Sequence, residues 1–446
     1  MKSCLLWACL ALAGCAAYRP MNVPATDSLR REVRSLTVDV SSLPDARLRS
    51  HRFDPGDGFD ITEIAMLAVA NNPELKALRA DAGVARAQAF SAGLLPDPQL
   101  ALTTDRVMGQ APGSTFAYNG GVTFDVAAIL ARSSSHAAAD ADSHKADLDL
   151  LWQEWQTVAK ARLLFVKIDA MTRTQGLLAT EREALRTRLE AAQAAVAKGL
   201  ISQEQAAPLL SACEDAARQW NDLERQRNQA RHDLNALVGV APEIELALVG
   251  DPDTPTLTAD DVRDGLAQAP RTRPDLLALR AGLEAQDDKY RGAIQAQFPA
   301  ITVGPTRARD TSNVNTWGLS LGIALPLFNR NRGNIAIESA TRDKLLVDYQ
   351  QRLDTDAIES HRLLAEEGIL RRQSQEIEAS LPLLQRVAER ARQAYEARNL
   401  DAFGLTTAEG VLLARRIEQV NTQQALQEQA IALQALLGGR LDLPQS

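Results

Sequence analysis

One stretch of this chain occurs twice, in closely similar form, 201 residues apart. Residues 73–80 read PELKALRA and residues 274–281 read PDLLALRA. A second pair of similar sequences, Lys198-Gly199-Leu200 and Arg398-Asn399-Leu400, is separated by nearly the same number of residues. A repeat of this length is far longer than the unit of an ordinary solenoid, so it indicates a duplicated domain-sized half. Each half is predicted to contain a helix, a strand pair, a very long helix, a turn and a returning helix. The predicted bounds are 58–250 for the first repeat, 251–440 for the second and 441–446 for a tail.

The first residues have the pattern of a secretory signal. Lys2 precedes an apolar stretch that is too short to span a membrane as a mature helix. The stretch ends in Leu12-Ala13-Gly14-Cys15, which resembles a bacterial lipobox and implies removal of residues 1–14 and lipidation of Cys15. An ordinary signal peptide with a chance cysteine is the alternative. Ala16 fits, by the same resemblance, sorting to the outer membrane.

The lipid on Cys15 is expected to anchor the protein in outer-membrane lipid without building any pore. Residues 15–57 contain four prolines and are predicted to form an extended tether along the outside of the molecule. Once the signal is removed, Cys213 is the one remaining thiol besides Cys15, so no intrachain disulfide is expected.

Charge and composition exclude some classes of function. The formal net charge is −8, which disfavours a nucleic-acid partner on electrostatic grounds. Aromatic residues make up only 4% of the chain, while alanine, leucine, glutamine, arginine and glutamate dominate. This composition is typical of long helices packed side by side rather than of one large globular core.

The helices can be placed from the prolines and from heptad spacing. Leu178, Leu185 and Ala192 recur every seven residues within a window free of proline, a coiled-coil pattern. A helix over about 127–198 would be roughly 100 Å long. Two antiparallel hairpins are predicted, at about 127–238 and 334–438. The shorter helices that begin at Pro73 and Pro274 have the length to extend the returning helices end to end.

Turn residues mark the two hairpin tips. Gly199 suits the left-handed position that ends a helix, and Ser202 with Gln205 forms a capping box for the next one. In the second repeat, Asn399 is predicted to take the left-handed conformation and Asp401 to be the N-cap.

Alternating residues predict strands at about 96–105, 116–126, 299–308 and 315–325. From Thr316 onward, one face carries large apolar side chains and the other carries small or polar ones: Trp317, Leu319, Leu321, Ile323 and Leu325 against Thr316, Gly318, Ser320, Gly322 and Ala324. Membrane barrels require this pattern, although a soluble sandwich with one wet face shares it. Four strands cannot close a barrel, and an open edge is costly in lipid. Three copies would supply twelve strands.

Several motifs together resemble the TolC family of outer-membrane efflux factors. They are the lipobox, the duplicated halves, Asn72-Pro73-Glu74-Leu75, the tip sequences, and the run from Pro326 to Gly333, which is similar to the branch serving heavy-metal efflux pumps. The resemblance implies a mainly α fold with a membrane β-barrel: duplicated long hairpins form a periplasmic α-barrel tunnel, and four strands per chain complete a 12-stranded trimeric barrel. It further implies a homotrimer in the outer membrane, docked to a periplasmic adaptor protein and an inner-membrane efflux pump.

Family resemblance also assigns roles to particular residues. The adaptor-docking tips would be Lys198, Gly199, Leu200, Ile201, Ser202, Arg398, Asn399, Leu400 and Asp401. Leu200, Ile201 and Leu400 are interpreted as apolar residues held exposed for a partner. Members of the family often carry an aspartate shortly after the second tip, which this chain lacks between Phe403 and Glu409. Glu204 and Glu409 are therefore the predicted pore-gate residues.

The sequence thus predicts a passive channel that exports metal cations or small toxic compounds. No enzyme is expected, since the five histidines form no HExxH motif or cluster and no nucleotide-binding glycine motif follows a strand. No metal site and no cofactor are predicted. Two alternatives remain open, a periplasmic adaptor and a structural coiled-coil lipoprotein without a pore.

Overall fold

The computed structural model describes residues 18–43, 46–106, 108, 113–252 and 257–437. Cys15, the predicted signal at 1–14 and the predicted tail at 441–446 lie outside the described residues.

The two repeats have the predicted order of elements. The first contains α1 (Ala46–Ser50), α2 (Ile61–Asn71), α3 (Pro73–Ala92), β1 (Gln99–Asp105), β2 (Ala117–Asp125), α4 (Val126–Ala197) and α5 (Gln203–Leu237). The second contains α6 (Ala259–Thr272), α7 (Pro274–Gln295), β3 (Ala300–Arg309), β4 (Asn315–Ala324), α8 (Arg332–Glu396) and α9 (Ala402–Leu436). Helix α4 has 72 residues, which gives a length of about 110 Å.

Predicted and observed bounds of the long elements agree closely. The main difference lies at the start of β1, which was predicted at residue 96 and begins at Gln99. Pro96 and Pro98 have no backbone N–H to donate, so ladder pairing starts only after them. In the described part of the chain, no helix carries an apolar stretch long enough to cross a membrane.

Among the helices longer than ten residues, α2 and α6 were not predicted. Each begins with a capping box, Asp60 with Glu63 in α2 and Thr258 with Asp261 in α6. Each ends just before a proline that starts the next helix, Pro73 or Pro274. Both pack near the middle of a long helix, α2 against α4 and α6 against α8. Each of the two long helices is therefore packed, near its middle, against a short helix of the same repeat.

The four strands form one antiparallel sheet in the order β1-β2-β3-β4. Leu321 lies opposite Val303, and Ser320 lies opposite Gly304. Since partners in register share a face, the apolar residues of all four strands lie on one side. Gly304 permits the close approach of β2, because a Cβ there would lie 1.7 Å from the Val122 carbonyl oxygen. Of the strands, β1 and β4 are each paired on one side only within the chain.

The largest hydrophobic core surrounds α2. Buried residues of α2 pack with Phe165 and Ile168 of α4 and with Leu234 of α5. Leu36, Leu43 and Leu48 from the amino-terminal segment are buried in the same core. A parallel bridge from Arg30 to Val240 fixes the start of this segment. The prediction of an extended tether outside the molecule is therefore wrong for residues 30–43 and 46–50, because their leucines gain burial in the core of the first repeat.

The two repeats join their helices by equivalent contacts with different chemistry. Asn72, which precedes α3, donates from Nδ2 to the carbonyl of Leu237 at the end of α5, at 2.9 Å. Arg273, which precedes α7, donates from Nη1 to the carbonyl of Leu436 at the end of α9, also at 2.9 Å. Each contact satisfies a carbonyl that the helix end leaves open. Each contact also fixes the position at which the short helix continues the line of the returning helix.

A buried ion network surrounds Arg273. Its guanidinium is fully buried, and Nε donates to Asp275 Oδ1 at 2.9 Å. Asp356 Oδ2 of α8 lies 2.7 Å from Arg273 Nη1, and Arg352 Nε donates to Asp275 Oδ2 at 2.8 Å. Burial raises the pKa of Asp356, while the charges of Arg273 and Arg352 oppose this shift. We call these four side chains the Arg273 network.

Candidate functional site: the hairpin tips

The first tip, between α4 and α5, is closed by Gly199. This glycine has φ of +70°, and the amide of Leu200 donates to the carbonyl of Ala195 at 2.9 Å. These are features of a glycine C-cap. Ser202 begins α5 with the predicted capping box, in which Gln205 Oε1 accepts from the Ser202 amide at 2.8 Å. The predicted turn is confirmed.

The second tip, between α8 and α9, differs by one residue from the prediction. The residue with positive φ is Arg398, at +60°, and not Asn399. The Asn399 amide donates to the carbonyl of Ala394 at 2.8 Å, the same bond that Leu200 makes in the first tip. Arg398 is thus the structural equivalent of Gly199. Asp401 is the N-cap of α9 as predicted, accepting from the Gly404 amide at 2.7 Å.

The three apolar tip residues are not equally exposed. Leu200 is 71% exposed. Ile201 is half-buried and packs on a small core of the first hairpin, which Ala402 of the second hairpin also contacts. Leu400 is half-buried and lies over Gly404, since a Cβ at Gly404 would be 2.6 Å from Leu400 Cδ1. The interpretation that all three are held exposed is wrong for Ile201 and Leu400, because local packing already covers them.

The structure brings the two tips together. Ile201 and Ala402 pack against the same small core, which joins hairpin to hairpin, and α9 packs along α4. Lys198, Gly199, Ser202, Arg398, Asn399 and Asp401 are exposed around this junction. The result is a polar rim surrounding one exposed leucine, Leu200.

The two predicted gate residues have different surroundings. Glu204 is exposed in the first turn of α5. Glu409 is buried, with 8% exposure, and its carboxylate bonds to Arg188 of α4 and Arg392 of α8. The Arg392 contact is 2.8 Å, and Arg188 also donates to Thr406 Oγ1 at 3.2 Å. The prediction that Glu409 faces an open pore does not fit this arrangement, because two guanidinium groups enclose the carboxylate.

Sequence reasoning missed Arg188 and Arg392, the partners of Glu409. Arg188 lies 221 positions before Glu409, so no local pattern pairs them. We call Arg188, Arg392, Glu409 and Thr406 the Glu409 cluster. It joins the outgoing helix of the first hairpin to both helices of the second, close to the tips.

A second carboxylate, that of Glu181, lies beside this cluster and has a raised pKa. Burial raises the pKa of Glu181, the charge of Glu409 adds to the shift, and Arg188 and Arg392 oppose it. Folding thus makes this carboxyl harder to ionise than it is in the unfolded chain. The stability that this group contributes is complete below the ordinary glutamate pKa and is lost as pH rises through the raised value.

Glu181→Gln should therefore stabilise the protein at neutral pH. We expect a higher midpoint of thermal unfolding at about pH 7.5, and a difference that disappears near pH 4, where wild-type Glu181 is protonated. Glu183→Gln is the matched control, because a hydrogen bond from Arg186 lowers the pKa of exposed Glu183. That variant should have a slightly lower or unchanged midpoint at about pH 7.5. An equal response of the two variants would contradict the assigned environment of Glu181.

Comparison with known proteins gives one family match. Residues 266–439 match the family model described as outer membrane efflux protein. The cation efflux system protein CusC of Escherichia coli K12 is 27% identical over 222 residues, covering 47% of this chain and 48% of CusC. The probable outer membrane lipoprotein SilC of Salmonella typhimurium is 26% identical over 177 residues, covering 37% of this chain and 38% of SilC. The chain spans about half the length, or less, of these curated relatives.

A solved structure shows the same fold over nearly the whole chain. The outer membrane channel CmeC of Campylobacter jejuni superposes with a TM-score of 0.73 at 15% identity, covering 97% of this chain and 96% of CmeC. At this identity the likeness concerns the fold. The match to the outer membrane efflux protein family model thus lies within the second repeat of the chain.

Proposed function

We propose that this protein is the outer-membrane channel of a tripartite efflux system. Three copies would join their four-stranded sheets into a twelve-stranded barrel in the outer membrane, and their helices would form a tunnel through the periplasm. The channel would be a passive conduit and not an enzyme. It would receive substrates from a periplasmic adaptor and an inner-membrane pump.

One observation carries this proposal: a sheet with two open edges and one large exposed apolar face, attached to helices of 72 and 65 residues, about 110 and 100 Å long. The exposed fraction is 77% for Leu100, 74% for Leu319 and 61% for Leu321. A monomer in water gains nothing from such a face, which is suited to lipid. The open edges of β1 and β4 require partners, since unpaired backbone groups are costly in lipid.

The two alternatives fit the fold less well. An adaptor resembles one hairpin flanked by β-domains, whereas here strand pairs lie between helices in both repeats. A structural coiled coil would have no use for the sheet. Heat-resistant trimer bands on gels together with a conductance in planar bilayers would support the channel, and monomers without conductance would rule it out.

The cargo is proposed from the relatives. CusC is described as a cation efflux protein, and the chain carries the run that resembles the heavy-metal branch. We favour metal cations, with small toxic compounds as the second candidate. Deleting the gene and measuring sensitivity to copper, silver and zinc salts against a panel of organic toxins would separate them.

Two neighbouring substitutions test which face of the sheet meets lipid. Leu321→Arg would place a charge on the apolar face near its centre and cost about 2–4 kcal/mol. Ser320→Arg would place the same charge on the opposite face, so it should alter conductance while trimers still form. The measurements are trimer yield in outer-membrane fractions and single-channel conductance. Equal assembly of both variants would show that the faces are assigned incorrectly.

A further inference from the structure

Two arginines interrupt the apolar face of the sheet at the end farthest from the helices. Arg307 lies opposite Trp317, and Arg309 lies opposite Tyr118 on one side and Asn315 on the other. Because residues in register share a face, both arginines lie on the same side as Leu319 and Leu321. Within the proposed barrel, that side meets lipid.

The height of Arg309 places it at the outer edge of the apolar band, and Arg307 lies about 5 Å lower. Arg309 is the last residue of β3, nine positions after Ala300 at the helical end, so it lies about 30 Å along the strand. With the usual barrel tilt of about 40°, it rises about 23 Å, close to the ~25 Å height of the lipid-facing band. An arginine costs little at this level and much more at the centre.

Neither guanidinium forms an ion pair with a carboxylate among the described residues. The nearest acid along the chain, Asp310, is used within the β3–β4 turn, where its Oδ1 accepts from the amides of Ser312 and Val314 at 2.8 and 2.9 Å. Two unneutralised positive charges two residues apart on one face repel each other. A bound anion would remove that repulsion.

Aromatic side chains hold one of the two arginines in place. The guanidinium of Arg309 lies 4.7 Å from the ring centre of Phe116 and 5.6 Å from that of Tyr118. Its Nη2 donates to the Phe116 carbonyl at 3.1 Å, while its Nε is buried without a hydrogen-bond partner in the described part of the chain. Arg307 is exposed beside Trp317, which is 78% exposed. The site thus combines a fixed and a free guanidinium with an aromatic border.

We propose that Arg307 and Arg309 bind the phosphorylated headgroup of a lipid in the outer leaflet of the outer membrane. Guanidinium groups bond phosphate oxygens in pairs, which suits a phosphate monoester between two arginines. Leu319 and Leu321 would contact the acyl chains below, and Trp317 would lie at the headgroup level, as interfacial aromatics do. The inference rests on the proposed barrel, because only there does this face meet lipid.

The test measures lipid binding to purified full-length trimers by native mass spectrometry, with diphosphorylated lipid A as the probe. Arg307→Gln with Arg309→Gln should weaken binding about tenfold or more, since two charge-assisted hydrogen-bonding groups are removed. Arg307→Lys with Arg309→Lys keeps the charge and should weaken lipid A binding less than the glutamine pair does. Arg386→Gln with Arg390→Gln removes the same charge from exposed positions on α8 and should leave binding unchanged.

Two further arms identify the source of the phosphate. Lipid A without its phosphates should bind the wild-type protein as weakly as intact lipid A binds the glutamine pair. Inorganic phosphate alone should not displace intact lipid A at equal concentration. Equal affinity of the wild-type protein and the glutamine pair would overturn the inference, as would full displacement by inorganic phosphate.

Trimer formation and conductance of the same samples separate this inference from the proposed function. Failure of the wild-type protein to form conducting trimers would remove the channel proposal. Conducting trimers that bind lipid A equally with and without the two arginines would remove only the lipid site.

Discussion

Arg273→Ala should lower the free energy of unfolding by about 3–5 kcal/mol, the largest effect expected of a single substitution in this chain. The stability is lost because the groups that Arg273 now pairs with would stay buried without it. Asp275 and Asp356, 9% and 3% exposed, would keep buried carboxylates without their main partner. The Leu436 carbonyl would lose its donor as well. Chemical denaturation followed by helical circular dichroism measures the change.

Two further variants show whether the Arg273 network is the cause. Arg280→Ala, on the helix that Arg273 precedes, removes an exposed arginine that lies 3.4 Å from Glu284, so its cost should stay below about 1 kcal/mol. Arg273→Met combined with Asp275→Asn and Asp356→Asn removes the unpaired charges together and should recover much of the stability. Equal unfolding of Arg273→Ala and Arg280→Ala would show that the buried network contributes little.

Leu200→Asp should abolish efflux in cells while leaving trimer yield and single-channel conductance nearly unchanged. Leu200 is 71% exposed at the end of the first hairpin, so the aspartate disturbs no packing within the chain. If the tip meets an adaptor, however, a buried carboxylate would replace an apolar contact at the centre of that interface. The readouts are growth under toxic challenge and pull-down of the adaptor.

Leu200→Met is the matched control for the docking site. It keeps an apolar side chain of similar volume and should retain efflux. Leu400→Asp is a poorer probe than Leu200→Asp, because Leu400 packs on Gly404 and its loss would disturb the start of α9. Normal efflux by Leu200→Asp would remove the first tip as a docking site.

Local patterns were sufficient to predict much of the fold. The alternation from Thr316 onward gave the apolar face of β4, and the capping box at Ser202 gave the start of α5. Both are short-range signals, in which the residues that determine the structure stand next to one another. Equally local signals at Asp60 and Thr258 begin α2 and α6.

Other features depend on contacts that no local pattern contains. The burial of Glu409 follows from Arg188, which lies on another hairpin. The burial of Leu36, Leu43 and Leu48 follows from a core supplied by α2, α4 and α5. The left-handed residue of the second tip was misassigned for a different reason. Propensity favours asparagine over arginine there, and the hydrogen bond from Asn399 to Ala394 determines the position instead.

The difference between Gly199 and Arg398 has a mechanical consequence for the lower end of the proposed tunnel. A left-handed glycine is unstrained, whereas a residue with a side chain costs roughly 1–2 kcal/mol in that conformation. The second turn therefore holds strain that the first does not, and less free energy is needed to change its shape. In a threefold assembly the rim would alternate between three turns closed by Gly199 and three closed by Arg398. Only a change at the Arg398 turns would release strain, so any widening would begin there.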